Sequence, residues 1–159
     1  MSVFENLNDQ EYQLLKDTFG LIATLIAGAD GNIDEEEQSW AQKIVKIRSF
    51  SGNEFLYDFY DEVDGEIIGK MEEVIGNLKG EMDTIQSELS KQISKVNPVL
   101  AKLDEDTAHQ LYKGYLSFAE HIAKASGGIF RFFAISSQEK KFLDLDMIHV
   151  ISEPADEEE

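Results

Sequence analysis

Asp30, Asp34, Glu35, Glu36 and Glu37 put five carboxylates into eight residues, across a turn that also carries Gly31 and Asn32. Hard divalent cations such as Ca²⁺ take about six to eight oxygens in flexible geometry, and clustered carboxylates supply them. Gly31 accepts a left-handed backbone, so the chain can fold back and bring Asp30 and Glu37 together. Asp30, Asp34 and Glu37 are therefore the candidate metal ligands, for Ca²⁺ or another divalent cation. The stretch imitates the second half of an EF-hand loop: acid, glycine, isoleucine, acid, closing glutamate. Ile26 and Gly28 stand where the first two ligating acids belong, so a true EF-hand is not expected. A purely structural reading competes. Asp34 and Glu37, three apart, match a capping box, and acids at a helix start are favoured by its dipole.

The remaining chemistry is sparser. Two Asp-x-x-His pairs, Asp106/His109 and Asp146/His149, fall on different predicted helices. Di-metal centres of helical bundles use Glu-x-x-His pairs with further glutamates, so a di-metal carboxylate enzyme is the alternative from another class. Asp106, however, sits where a helix start uses an acid. His121, beside Glu120, reads as a surface or half-buried histidine. No phosphate-cradling glycine loop, Ser-His-Asp order or zincin motif is present, which disfavours a hydrolase or kinase. With no cysteine there is no disulfide, thiolate ligand or thiol nucleophile. The expectation is a non-enzymatic chain without an organic cofactor.

Charge narrows the partners. A formal charge of −18 opposes nucleic acid and anionic lipid. It suits cations, basic proteins, or basic cytoplasmic segments of membrane proteins. The most apolar run, Phe19 to Ala29, is shorter than the ~20 residues a bilayer requires. Met1 to Gln10 lacks the basic start and apolar centre of a signal peptide, so a cytoplasmic protein without membrane insertion is expected.

The elements that position these residues read as helices throughout. Leu14, Leu15, Phe19, Ile22, Leu25 and Ile26 recur at helical spacing over about 9–28, with Asn8 as cap. A second helix from Asp34 would bury Trp40, Ile44 and Ile47 and stop near Ser51-Gly52. After a short aromatic segment (Phe55 to Tyr60), apolar residues from Ile67 to Val96 recur at about 3.6, the period of a straight amphipathic helix. Gly65, Gly69, Gly76 and Gly80 share its other face, and they predict either a close backbone neighbour or a break between Gly76 and Gly80. Asn97-Pro98 signals a restart, with Pro98 at the first helical position. Asp104 to Thr107 is an acidic start for a helix ended by Gly127-Gly128. Ser136 and Glu139 cap a last helix carrying Phe142, Leu143, Met147, Ile148 and Ile151. Residues 152–159 are acidic and expected to be disordered. Phe130, Phe132 and Phe133 lie in what should be a loop, and they either plug the core or form a docking or self-association surface.

The chain also repeats itself. Ile22 to Gly31 aligns with Phe118 to Gly127, pairing Ala23 with Ala119, Ala27 with Ala123, Ala29 with Ala125 and the two glycines. Beyond the turn Ile33, Asp34, Glu37 and Trp40 match Ile135, Ser136, Glu139 and Phe142. The predicted fold is all-α: a bundle of about six to eight helices in a single domain over 1–151. Two pseudo-twofold helix-turn-helix repeats (about 9–51 and 98–151) flank a helical insertion (about 53–96). The motif Ala27-x-Ala29-Asp30-Gly31-x-Ile33-Asp34-x-x-Glu37 resembles the TerB-like family of tellurite-resistance and co-chaperone helical domains. The resemblance implies a helical bundle with acidic metal-binding motifs, acting in the cytoplasm in bacterial stress responses, in some cases with membrane complexes. Ser126 and Ser136 replace the second copy's acids, and the inserted helix is extra.

Overall fold

The computed structural model describes residues 3–27, 39, 41–43, 45–46, 54–77, 80–126 and 145–152. Five α-helices have described bounds: α1 (Asp9–Ala27), α2 (Tyr57–Asn77), α3 (Met82–Ser94), α4 (Val96–Leu100) and α5 (Glu105–Ser126); residues 39, 41–43 and 45–46 are helical as well. A 3-10 turn, Glu54–Leu56, leads into α2. No strand occurs among the described residues, and the class is all-α. The six to eight helices expected are a figure for the whole chain. Asp30, Asp34, Glu37, Trp40, Ile44, Ile47, Phe130, Phe132, Phe133, Ser136, Glu139 and Phe142 lie outside the described residues.

α1 starts where its cap says it should. Asn8 Oδ1 accepts the Glu11 N–H at 2.8 Å, and Glu11 Oε1 accepts the Asn8 N–H at 3.0 Å. This reciprocal box satisfies two donors that a helix start otherwise leaves open. From Thr18 to Ile26 every residue of α1 is buried, the mark of an interior helix. Helices α2, α5, α3 and α4 pack around it, α2 over the greatest length. Buried Thr18 and Thr24 return their hydroxyl hydrogens to the carbonyls of Leu14 (2.7 Å) and Gly20 (2.8 Å), so no polar atom is stranded there. Gly20 permits the close approach of α2, since a Cβ there would sit 2.7 Å from Lys70 Cγ.

One apolar cluster joins all five helices with Leu145 and Ile148. At its centre Phe19 lies tilted against Tyr115 (ring centroids 4.7 Å, planes at 45°) and meets Phe118 edge-on (5.2 Å). Tyr115 donates its hydroxyl to Leu15 O at 2.8 Å, and burial pushes its pKa well above the ordinary tyrosine value. The register that sets Ile22 against Phe118 runs back along both helices. Leu15 and Leu111, Phe19 and Tyr115, Ile22 and Phe118, Ala23 and Ala119, Ile26 and Ile122 are all buried. Their caps keep it too: Asp104, in the place of Asn8, accepts the Thr107 N–H at 3.0 Å.

Three sequence expectations change in detail. The aromatic segment and the helix after it are one element, because Tyr57 already opens α2 and Phe59 and Tyr60 are buried in it. The break falls where the glycines suggested, α2 ending at Asn77 and α3 starting at Met82. Gly80, at φ +121°, adopts a backbone that residues with a Cβ resist. A Cβ at Gly65, Gly69 or Gly76 would meet nothing within 4 Å, so no neighbouring backbone accounts for these glycines among the described residues. Pro98 is third in α4, not first. The position costs no hydrogen bond, since the first four N–H groups of a helix lack internal partners anyway.

The C-terminal expectation needs correction. The predicted last helix does not run to Ile151. Residues 145–148 form a turn closed by Ile148 N–H to Leu145 O (2.9 Å), and 149–152 have no regular structure. Leu145 has φ +49°, outside the right-handed helical region.

Candidate functional site

The described residues hold two polar constellations. The first is a seam between α1 and α2. Lys16, 7% exposed, sends its ammonium to Glu62 (2.9 Å) and Glu66 (3.0 Å). The Tyr12 ring lies 4.9 Å from the same nitrogen, and the Tyr12 hydroxyl donates to Glu62 at 3.1 Å. Gln13 donates to Glu66 at 2.8 Å. Burial works against the Lys16 charge, but the bonds to both glutamates outweigh it and raise its pKa. Glu66 is partly desolvated, and bonds from Gln13 and Lys16 nevertheless lower its pKa. Burial and the Glu62 bond push the Tyr12 pKa up. Every member is committed to another, which fixes how α1 sits on α2.

The second constellation holds residues 145–152 against α4 and α5. Asn97 brackets Ile148: its Nδ2 donates to Met147 O (3.0 Å), and its Oδ1 accepts the His149 N–H (2.8 Å). His109 Nδ1 lies 2.7 Å from Ile151 O. A carbonyl oxygen only accepts, so this nitrogen carries the proton. Three main-chain groups on alternate residues are thus held by two side chains, while Leu145 and Ile148 enter the core. Beside them a cavity of about 260 Å³ has Leu100, Leu103, Ala108 and Ile151 on its walls, with Glu105 and His149 also lining it.

These contacts place the Asp-x-x-His pairs. Asp106 accepts from Gln110 at 2.8 Å while His109 turns to Ile151, so the pair is engaged with separate partners. Asp146 and His149 are exposed. His121 is also exposed, with Nδ1 2.7 Å from Ser117 O. Among the described residues no group of three or more His, Asp or Glu side chains converges to hold a metal. Asp64 Oδ1 is buried with no hydrogen-bond partner among the described residues. The Asp64 carbonyl accepts from Gln42 at 3.1 Å.

Sequence reasoning missed Lys16, Tyr12, Glu62 and Glu66, and read Asn97 only as a helix restart. Lys16 had a signal: it shares a helix face with Tyr12, Leu15 and Phe19, where an apolar residue belongs, and Glu62 and Glu66 stand four apart. Asn97 had none, because its partners are main-chain atoms fifty residues away.

The fold and these sites define an all-α chain in which no described helix is long and apolar enough to cross a membrane. Comparison with family models, with curated proteins and with solved structures finds no match.

Proposed function

We propose that the chain is a non-enzymatic, acidic TerB-like module of a bacterial stress system of the tellurite-resistance kind. In this reading it works in the cytoplasm, binding a divalent cation weakly at Asp30, Asp34 and Glu37, a protein partner, or both. The observation that carries the reading is the shared register of α1 and α5. Five matched pairs, from Leu15 and Leu111 to Ile26 and Ile122, are buried, matched residues Asn8 and Asp104 cap the two helices, and matched residues Phe19 and Tyr115 touch. Contact between equivalent residues is what a twofold axis produces. It supports two pseudo-twofold hairpins, and with them the likeness on which the acidic turn was read as a cation site.

Three acidic ligands without a second-copy partner at Ser126 give weak affinity, on the order of 10⁻⁴–10⁻³ M for Ca²⁺. Binding to the folded state alone raises stability by mass action, about 1–2 kcal/mol at several millimolar Ca²⁺. That corresponds to a rise in Tm of roughly 2–8 °C for a chain of this size. We expect the rise in the wild type and its loss in Asp30→Asn with Glu37→Gln. An equal rise in the double variant would assign the response to the −18 background charge and leave the turn as a helix start.

A further inference from the structure

Residues 145–152 divide into two halves that are held differently. Leu145 and Ile148 are 0% and 1% exposed, and the turn between them is closed by its own bond, Ile148 N–H to Leu145 O. From His149 on, the chain leaves the core: His149, Val150 and Ser152 are exposed and Ile151 is half-buried. Two side-chain bonds tie this outer half to the described residues. The His149 N–H donates to Asn97 Oδ1 next to the anchor, and His109 Nδ1 donates to Ile151 O at 2.7 Å beyond it. We propose that 149–152 is a flap hinged on Ile148 and latched by His109. It opens without unfolding the helices and admits a small neutral apolar molecule to the cavity of about 260 Å³ that Ile151 helps to wall.

Segments open locally where few apolar side chains are buried and main-chain bonds face solvent. Opening 149–152 breaks these two bonds and frees one half-buried side chain, whereas releasing 145–148 would draw Leu145 and Ile148 out of the core. Asn97 keeps its other bond, to Met147 O, on the anchored side, so the hinge stays in place. The chemistry of the cavity names the guest. Leu100, Leu103 and Ala108, all buried, form its walls with Ile151. The polar residues lining it are committed or exposed: Asn97 is engaged with main chain, and Glu105 and His149 face solvent. A charged guest would lose its hydration with little to replace it, and Glu105 opposes an anion. A hydrocarbon suits such walls. Lifting Ile151 opens one of them, which couples entry to the flap.

Native-state hydrogen exchange on the full chain, in urea below the unfolding transition, tests the hinge. The His149 amide should exchange through an opening that urea hardly alters, because little surface is exposed. The Ile148 and α1 amides should quicken with urea as global unfolding does. His109→Ala should speed His149 exchange about two- to tenfold, the worth of one net hydrogen bond, and leave the Ile148 and α1 amides unchanged. Benzene, a neutral apolar probe, should shift the Leu103 and Ala108 amide resonances. It should do so at lower concentration in His109→Ala, because a more populated open state raises apparent affinity. The flap is overturned if the His149, Ile148 and α1 amides exchange together, if His109→Ala leaves His149 exchange unchanged, or if it quickens all three by one factor. Benzene shifts that are absent, or equal in the two proteins, overturn the gated site.

Discussion

Lys16 carries the sharpest consequence at the scale of single residues. It is almost fully buried, while the side chains of its partners Glu62 and Glu66 stay 44% and 41% exposed. The two halves of the bridge are therefore unequal. Lys16→Met removes the buried charge and leaves two carboxylates already wetted, so urea denaturation should register a loss of about 1 kcal/mol or less. Glu62→Gln with Glu66→Gln leaves an ammonium buried without its counter-charges, a far costlier state, of about 3 kcal/mol. A larger loss for Lys16→Met would mean that the bridge, not the burial, dominates. The same groups set a pH dependence. The Glu66 and Asp104 pKa values are lowered in the fold, Glu66 by bonds that outweigh its desolvation and Asp104 chiefly by the Thr107 hydroxyl. Their contribution is present above the ordinary carboxylate range and is lost as pH falls through the folded values. Stability measured from pH 4.5 downward should thus decline, and less steeply in Glu66→Gln.

Helix starts decide the element scale. α1 and α5 open on caps in the same register, Asn8 with Glu11 and Asp104 with Thr107. Asp104 also accepts the Thr107 hydroxyl at 2.7 Å. Removing either cap should cost about 1 kcal/mol, within a range of roughly 0.5–2. Thermal melting of Asn8→Ala and Asp104→Ala should show both losses, the second the larger because it breaks two bonds. A melting curve unmoved by Asp104→Ala would demote that residue to ordinary surface acid. Packing is as exacting. A Cβ at Gly114 would lie 2.6 Å from the Tyr60 hydroxyl, so α5 reaches the core only because that position is bare.

Across the whole molecule the dominant quantity is charge. With −18 spread over 159 residues, repulsion works against the compact state at neutral pH. Raising NaCl from low concentration to 0.5 M should raise Tm, because screening acts on exposed acids and reaches the buried Lys16 bridge far less. A fall in Tm with salt would show that surface ion pairs outweigh the net repulsion.

Several features were legible in the residues alone. The apolar spacing of α1, its Asn8 cap, the acidic start of α5 and the break after Gly76 are local properties, written in neighbours one to four positions apart. The buried face of α5, with Leu111, Tyr115, Phe118 and Ile122, was legible as well, since its spacing is local too. The tertiary structure decided what locality cannot carry. It paired Lys16 with glutamates fifty residues away, and it turned Asn97 and His109 toward the main chain of a segment expected to be helical. The hydrophobic pattern of Leu143, Met147, Ile148 and Ile151 suited a helix. Side-chain bonds from α4 and α5 hold the Met147 and Ile151 carbonyls and the His149 amide, bonds that a helix would otherwise supply.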